Sequence, residues 1–345
     1  MLHAALSLLP VLVFLALLVL LDSFKLVALR AVLRSIAVGA LAALAAAALH
    51  LTLLEATGAD PRWWSRWIAP VTEELLKAAY VAWLVRRERV GFLVDAGLHG
   101  FAVGAGFALV ENVEYLRTLG ERGVWLWVAR GFGTAILHGS ATTMFAIVSR
   151  ALADRAPGRP WRVYLPGLAA AVLLHAAFNR FADSLATTVV LLVALPLLLI
   201  GVFERSERAT REWLGTGFDT DAELLRSIVS GEISRTPAGR YLRSLQSRFD
   251  GMVVADMVCL LRIRAELSMR VKGMLLAREV GLEVPPGAGV EEMLAEMRYL
   301  EGAIGPTGRL ALKPIQTRSG RELWQLHVLE QAGRVAAGLP SGTKG

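Results

Sequence analysis

Cysteine is almost missing from this 345-residue chain: a single residue, Cys259, cannot close an internal disulfide, so no disulfide framework holds the fold and nothing in it asks for an oxidising compartment. Charge is scarce too, at 19% Asp, Glu, Lys and Arg. The composition excludes a disordered chain and a collagen-like one. Basic residues are nowhere concentrated: 17 Lys and Arg stand against 12 Asp and Glu up to residue 203, and 20 against 18 beyond it. The net charge of +7 therefore leaves no nucleic-acid footprint. No HExxH zinc motif occurs, and the second half of the chain carries neither a phosphate loop nor metal-ligand spacing.

What is present in excess is apolar sequence, with 55% hydrophobic residues and a mean hydropathy of +0.50. A helix that crosses about 30 Å of hydrocarbon needs about 20 mostly apolar residues. Seven such stretches lie at roughly 2–21, 35–54, 68–85, 92–116, 131–149, 164–182 and 185–203. The first has no basic flank and no small-residue cleavage site before Asp22, so it reads as a retained span rather than a removed signal peptide. The expected fold is all-α, a polytopic helical membrane bundle of about seven transmembrane helices over residues 1–203. A mostly helical, charged tail over 204–345 follows, with amphipathic segments between Gly/Pro breaks, no catalytic set and a disordered last eight residues.

Lys and Arg set the expected orientation. The first, third and fifth loops hold ten of them and the alternate loops six, which places the N-terminus outside the cell membrane and the tail in the cytoplasm. Trp63, Trp64, Trp67, Trp125 and Trp127 would then form an aromatic belt on the outer side.

Ionisable side chains inside apolar spans are expensive and point to function. They are Glu73, Glu74, Lys77, Asp95, His99, Glu111, Glu114, His138 and His175. At 1.5 Å of rise per residue, Glu73 and Glu74, Glu111, His138 and His175 fall at one level on four different helices, roughly 10 Å below the outer surface. Spacing suggests two shared faces, Glu73 with Lys77 and His175 with Asn179. The first pair offers a carboxylate beside a cation and near a helix N-terminus; the second offers an imidazole and a carboxamide suited to a developing oxyanion. Together these are the parts of a hydrolase.

The segments Glu73-Glu74-Leu-Leu-Lys77, Gly106-Phe-Ala-Leu-Val-Glu111-Asn112, His138 and His175 through Asn179 resemble the PrsW-type intramembrane proteases, a branch of the group that includes the CAAX prenyl endopeptidases. The likeness covers roughly residues 68–182. It implies an intramembrane endopeptidase in which Glu73 activates water with Glu74 in support, His138 binds or polarises that water, and His175 and Asn179 stabilise the oxyanion. Glu111 and Asn112 match the family's second motif, and Lys77 supports the first. The family has been described both as glutamate-dependent without metal and as metal-dependent. The metal-free mechanism is the expectation here, with Zn²⁺ held by Glu73, Glu74, His138 and His175 as the metal-dependent form. The implied partner is a single-span membrane protein, such as an anti-sigma factor, cut near the extracytoplasmic face.

Plainer readings stand beside these. Glu73 and Lys77 would serve equally as a structural ion pair. Asp95 and His99 lie off the shared level and read as packing or loop-facing groups, and Gly100 with Gly104 as a close-packing pair. His50 reads as interfacial, and Glu114 and Tyr115 as solvated at the outer interface. Ser140 lacks a nucleophile turn. A proton-coupled transporter or a non-catalytic scaffold are the rival functions; a transporter is expected to show an internal repeat, and no convincing one is found.

Overall fold

The computed structural model describes residues 2–118, 133–156, 160–181, 185–315, 324–329 and 332. Among them regular structure is helical, without strands. Trp125, Trp127, several loop arginines and the last eight residues lie outside this set. The chain divides into two compact units, Met1–Arg208 and Ala209–Gly345.

In the first unit helices cover all seven apolar stretches: α1 (Leu2–Leu21), α2 (Leu29–Thr57), α4 (Ala69–Arg86), α5 (Leu93–Thr118), α6 (Thr134–Arg155), α7 (Leu165–Phe181) and the start of α8 (Leu185–Val229), with a short α3 (Pro61–Trp67) before α4. The protein is an all-α membrane protein. Among the described residues, four helices are long and apolar enough to cross a membrane: α2, α5, α6 and the segment Trp161–Phe181 that contains α7. The remaining helices, including α4 with its three charged residues in mid-sequence, are not in that set of described residues.

Helix α5 is the centre of the bundle. Its stretch from Ala96 to Ala108 is buried almost without interruption, packed by α2, α6 and α1. Contact this close needs residues without side chains. A Cβ on Gly39 of α2 would lie 1.9 Å from the Val103 carbonyl oxygen, and one on Gly104 of α5 would lie 2.2 Å from that of His138. Glycine at these positions lets the backbones touch, as small residues do between membrane helices. Gly104 has a second consequence, since it presses α5 against the turn of α6 that carries His138.

The polar groups at the α5 N-terminus find partners close by. Asp95 accepts from the amides of Gly91 and Phe92 at 2.7 and 2.8 Å, while buried Arg150 of α6 donates to the Gly91 carbonyl at 2.9 Å and pairs with Asp154 at 2.9 Å. His99 meets Ser35 through Nδ1 at 2.8 Å.

The second unit is built from the rest of α8, α9 (Pro237–Leu245), α10 (Gly251–Glu279), α11 (Val290–Ala303) and α12 (Gly305–Leu312). Thr236 and Asp250 cap α9 and α10 by accepting from the amides of Gly239 and Met252. α10 supplies the core, with Met257, Leu260, Val271 and Leu275 buried. Lys272 pairs with Asp221 at 2.6 Å, Arg264 pairs with Glu301, and Tyr241 donates to the Ala311 carbonyl at 2.7 Å. Cys259 is exposed.

Candidate active site

Helix α4 begins at Ala69 with Pro70 in its first turn, where a missing amide hydrogen costs nothing. Its buried stripe runs through Pro70, Glu74, Lys77, Ala78, Val81, Leu84 and Val85. Residues three and four apart share that face. The stripe passes through Glu74 and not Glu73, which corrects the pairing expected from spacing: Lys77 donates to Glu74 Oε1 at 2.5 Å rather than to Glu73. Glu73 sits at the stripe's edge with 13% of its side chain exposed, against 2% for Glu74 and 0% for Lys77.

Three more helices meet this face. From α6, His138 places Nδ1 2.8 Å from Lys77 Nζ and Nε2 2.7 Å from Glu111 Oε2 of α5. An ammonium has only hydrogens to offer, so Nδ1 accepts from Lys77 and the Nε2–H donates to Glu111. The other oxygen of Glu111 accepts from the Tyr115 hydroxyl at 2.6 Å. From α7, His175 places Nδ1 2.9 Å from Glu74 Oε1 and Nε2 3.8 Å from Glu73 Oε2. The two imidazoles meet edge to face at 4.8 Å, and the Phe107 ring lies beneath Lys77 and His138, at 4.6 and 4.8 Å.

The result is a chain of side-chain contacts, Tyr115–Glu111–His138–Lys77–Glu74–His175, with Glu73 beside its end. Of the residues proposed from sequence, Glu73, Glu74, Lys77, Glu111, His138 and His175 are brought together. Asn112 is fully buried on α5. Asn179 stands apart from the chain: its Nδ2 donates to the Ser65 carbonyl of α3 at 2.9 Å, tying α7 to that short helix. Two neighbours that the sequence placed near the outer interface also touch this cluster. Tyr115 orients Glu111, one turn away on α5, a spacing that already signalled the contact. His50 of α2 lies 3.9 Å from Glu73 Oε1; its span was read correctly, but nothing in one sequence says which face of α2 meets α4.

A model of the PrsW family intramembrane metalloprotease matches residues 27–202, just over half of the chain and all of the helices that build this cluster. The chain belongs to that family. No curated protein and no solved structure matches it. Membership of the PrsW family makes this protein an intramembrane protease, with its active-site candidates inside the matched segment.

The metal that the family's description names has a fitting donor set. Glu73, His138 and His175 each offer one ligand atom, and these atoms lie within 4.8 Å of one another. One carboxylate and two imidazoles are a ligand set that catalytic Zn²⁺ accepts. The hydrogen bond of His175 Nδ1 to Glu74 is also the kind of outer contact that orients a metal-binding imidazole through its other nitrogen. His138 has both nitrogens engaged and would give up one partner to ligate.

Proposed function

We propose that this protease hydrolyses a peptide bond of a membrane-anchored protein, with Glu73 as the general base that activates water. The observation that carries this is the contrast among the three glutamates. Glu74 is locked by Lys77 and His175, and Glu111 by His138 and Tyr115. Glu73 alone of the three is free of direct hydrogen bonds among the described residues, with imidazole nitrogens at 3.8 and 3.9 Å from its two oxygens. A base that must accept a proton from water needs that freedom.

The other residues take positioning roles. Glu74 and Lys77 fix each other and hold the His175 ring, while His138 ties Lys77 to Glu111. Asn179 spends one amide hydrogen on Ser65 and keeps the second for an oxyanion forming near His175. The mechanism is written with glutamate-activated water. Should Glu73, His138 and His175 hold a divalent ion, it would supply Lewis-acid polarisation of the same water. Metal content decides between the two readings. In the glutamate-dependent form chelators leave activity intact and the purified protein carries well under one equivalent of zinc; stoichiometric metal that tracks activity overturns it.

The orientation is part of the same proposal. With the N-terminus outside and the second unit in the cytoplasm of a cell-membrane protein, the Glu73 level lies toward the extracytoplasmic face. Cleavage then falls at or just outside the substrate's span, as for a single-span regulator such as an anti-sigma factor. The test compares protein N-termini and shed ectodomains in cells that carry wild-type protein or Glu73→Gln at equal abundance. Termini just outside a span, present only with wild type, support the proposal and name the substrate. Identical termini overturn it and favour solute or proton flux as the activity to measure.

A further inference from the structure

Glu73 has a second imidazole beside it that the roles above leave unused. His50 faces Oε1 of the carboxylate through Nδ1 at 3.9 Å, while His175 faces Oε2 through Nε2 at 3.8 Å. The ring of His50 is held twice. Its Nε2 lies 2.6 Å from Thr72 Oγ1, and its edge meets the buried indole of Trp64 with centroids 6.0 Å apart.

The two carbonyls beside the Thr72 hydroxyl favour one placement of the ring hydrogen. Its hydroxyl has one hydrogen, and the carbonyls of Ile68 and Ala69 accept it at 3.1 and 3.0 Å. The Nε2–H of His50 is then the donor to Oγ1, and Nδ1 turns its lone pair toward Glu73. His175 repeats the pattern: its Nδ1–H goes to Glu74, so Nε2 also presents a lone pair to the carboxylate. Acceptors thus face acceptors at distances too long for a direct bond. A water that donates to both sides fits such a gap. This side of the cluster is not sealed by protein, since the side chains of His50 and Glu73 are 16% and 13% exposed.

We propose that His50 is a further catalytic residue of the peptidase, whose Nδ1 accepts one hydrogen of the hydrolytic water while Glu73 Oε1 accepts the other. This rests on the reading of Glu73 as general base. As the water attacks, its O–H bond toward Glu73 breaks, the proton passes to the carboxylate and the oxygen bonds to the carbonyl carbon. The proton then leaves Glu73 for the amide nitrogen as the C–N bond breaks. His50 holds the attacking oxygen in line and gains no net proton.

The test follows the rate at which Glu73-dependent termini appear, per folded molecule, for wild type, Glu73→Gln, His50→Phe, His50→Asn and Thr72→Val, with melting temperatures of the purified proteins. His50→Phe keeps an aromatic ring against Trp64 but has no acceptor, and is expected to lose about 10-fold or more. His50→Asn, whose carbonyl oxygen stands near the place of Nδ1, is expected to recover at least about 3-fold over His50→Phe without a change in cleavage position. Thr72→Val, nearly isosteric, frees the ring and is expected to lose about 3-fold at an unchanged melting temperature; it decides the matter if His50→Phe does not accumulate. Wild-type rates in His50→Phe, or in Thr72→Val where that variant decides, overturn the role of His50, as do His50→Phe and His50→Asn that lose activity only as far as they lose stability. Termini lost in Glu73→Gln but kept in His50→Phe leave the Glu73 reading standing, whereas termini kept in Glu73→Gln overturn both.

Discussion

Two buried polar clusters share this bundle, and they are built by different rules. Around Asp95 the charged groups finish mainly on the backbone: Asp95 on three amides, and Arg150 on a carbonyl, with Asp154 one turn away as its side-chain partner. Around Glu73 they finish on one another, across four helices, and the cluster leaves one carboxylate without a direct hydrogen bond among the described residues. A group that satisfies backbone amides stabilises a chain terminus or a turn and has nothing left to give. A network of side chains that ends in a partly exposed base is arranged to exchange a proton with something that arrives. Both clusters rest on buried carboxylates beside a cation, and their partners separate structure from chemistry.

Four substitutions would sharpen or break this comparison. The largest effect is expected from Lys77→Met, which strands the Glu74 carboxylate in the bundle; loss of one partner of a buried pair costs about 3–5 kcal/mol, read as a fall in detergent melting temperature together with loss of cleavage. Glu73→Gln comes next, with cleavage down at least ~10²-fold, about 2.7 kcal/mol in barrier, and no change in melting temperature. A Glu73→Gln protein that melts early while it still cleaves would reverse the assignment of the two clusters. Asp95→Asn turns an amide hydrogen toward the amides it used to cap, at a cost of roughly 1–3 kcal/mol. Its cleavage per folded molecule should equal wild type, and a specific loss of turnover would bring the Asp95 cluster into the mechanism. Tyr115→Phe removes one hydrogen bond from Glu111 and should cost about 1 kcal/mol. That corresponds to a few-fold slower cleavage with little change in stability, and a large effect would move Glu111 from support to the reaction itself.

Much of this site is legible in one sequence because a bilayer makes ionisable residues conspicuous. Glu73, Glu74 and Lys77, Glu111, His138 and His175 stand out in apolar runs, and rise per residue brings them to a common level. Atom-to-atom partnership is not legible. Residues 73 and 74 are adjacent, and both lie within one turn of Lys77, so spacing permits either pair; the packing of α4 buries Glu74 and leaves Glu73 at the edge. Asn179 shares a face with His175 by spacing, yet its Nδ2 goes to Ser65, because α3 lies against α7. His50 gave no signal beyond its depth, since its role depends on which side of α2 meets α4.

The sequence by itself determined that the protein is a helical membrane bundle, where its helices lie and which polar residues they carry, because local hydrophobic runs and the cost of charge in hydrocarbon act residue by residue. Only the tertiary structure decided which glutamate is locked and which is left available, that His50 stands beside it and that Tyr115 and His138 complete the line behind it. Those facts depend on helix rotation and on close approaches such as Gly104 against the His138 carbonyl, which are set by contacts between residues far apart in the chain.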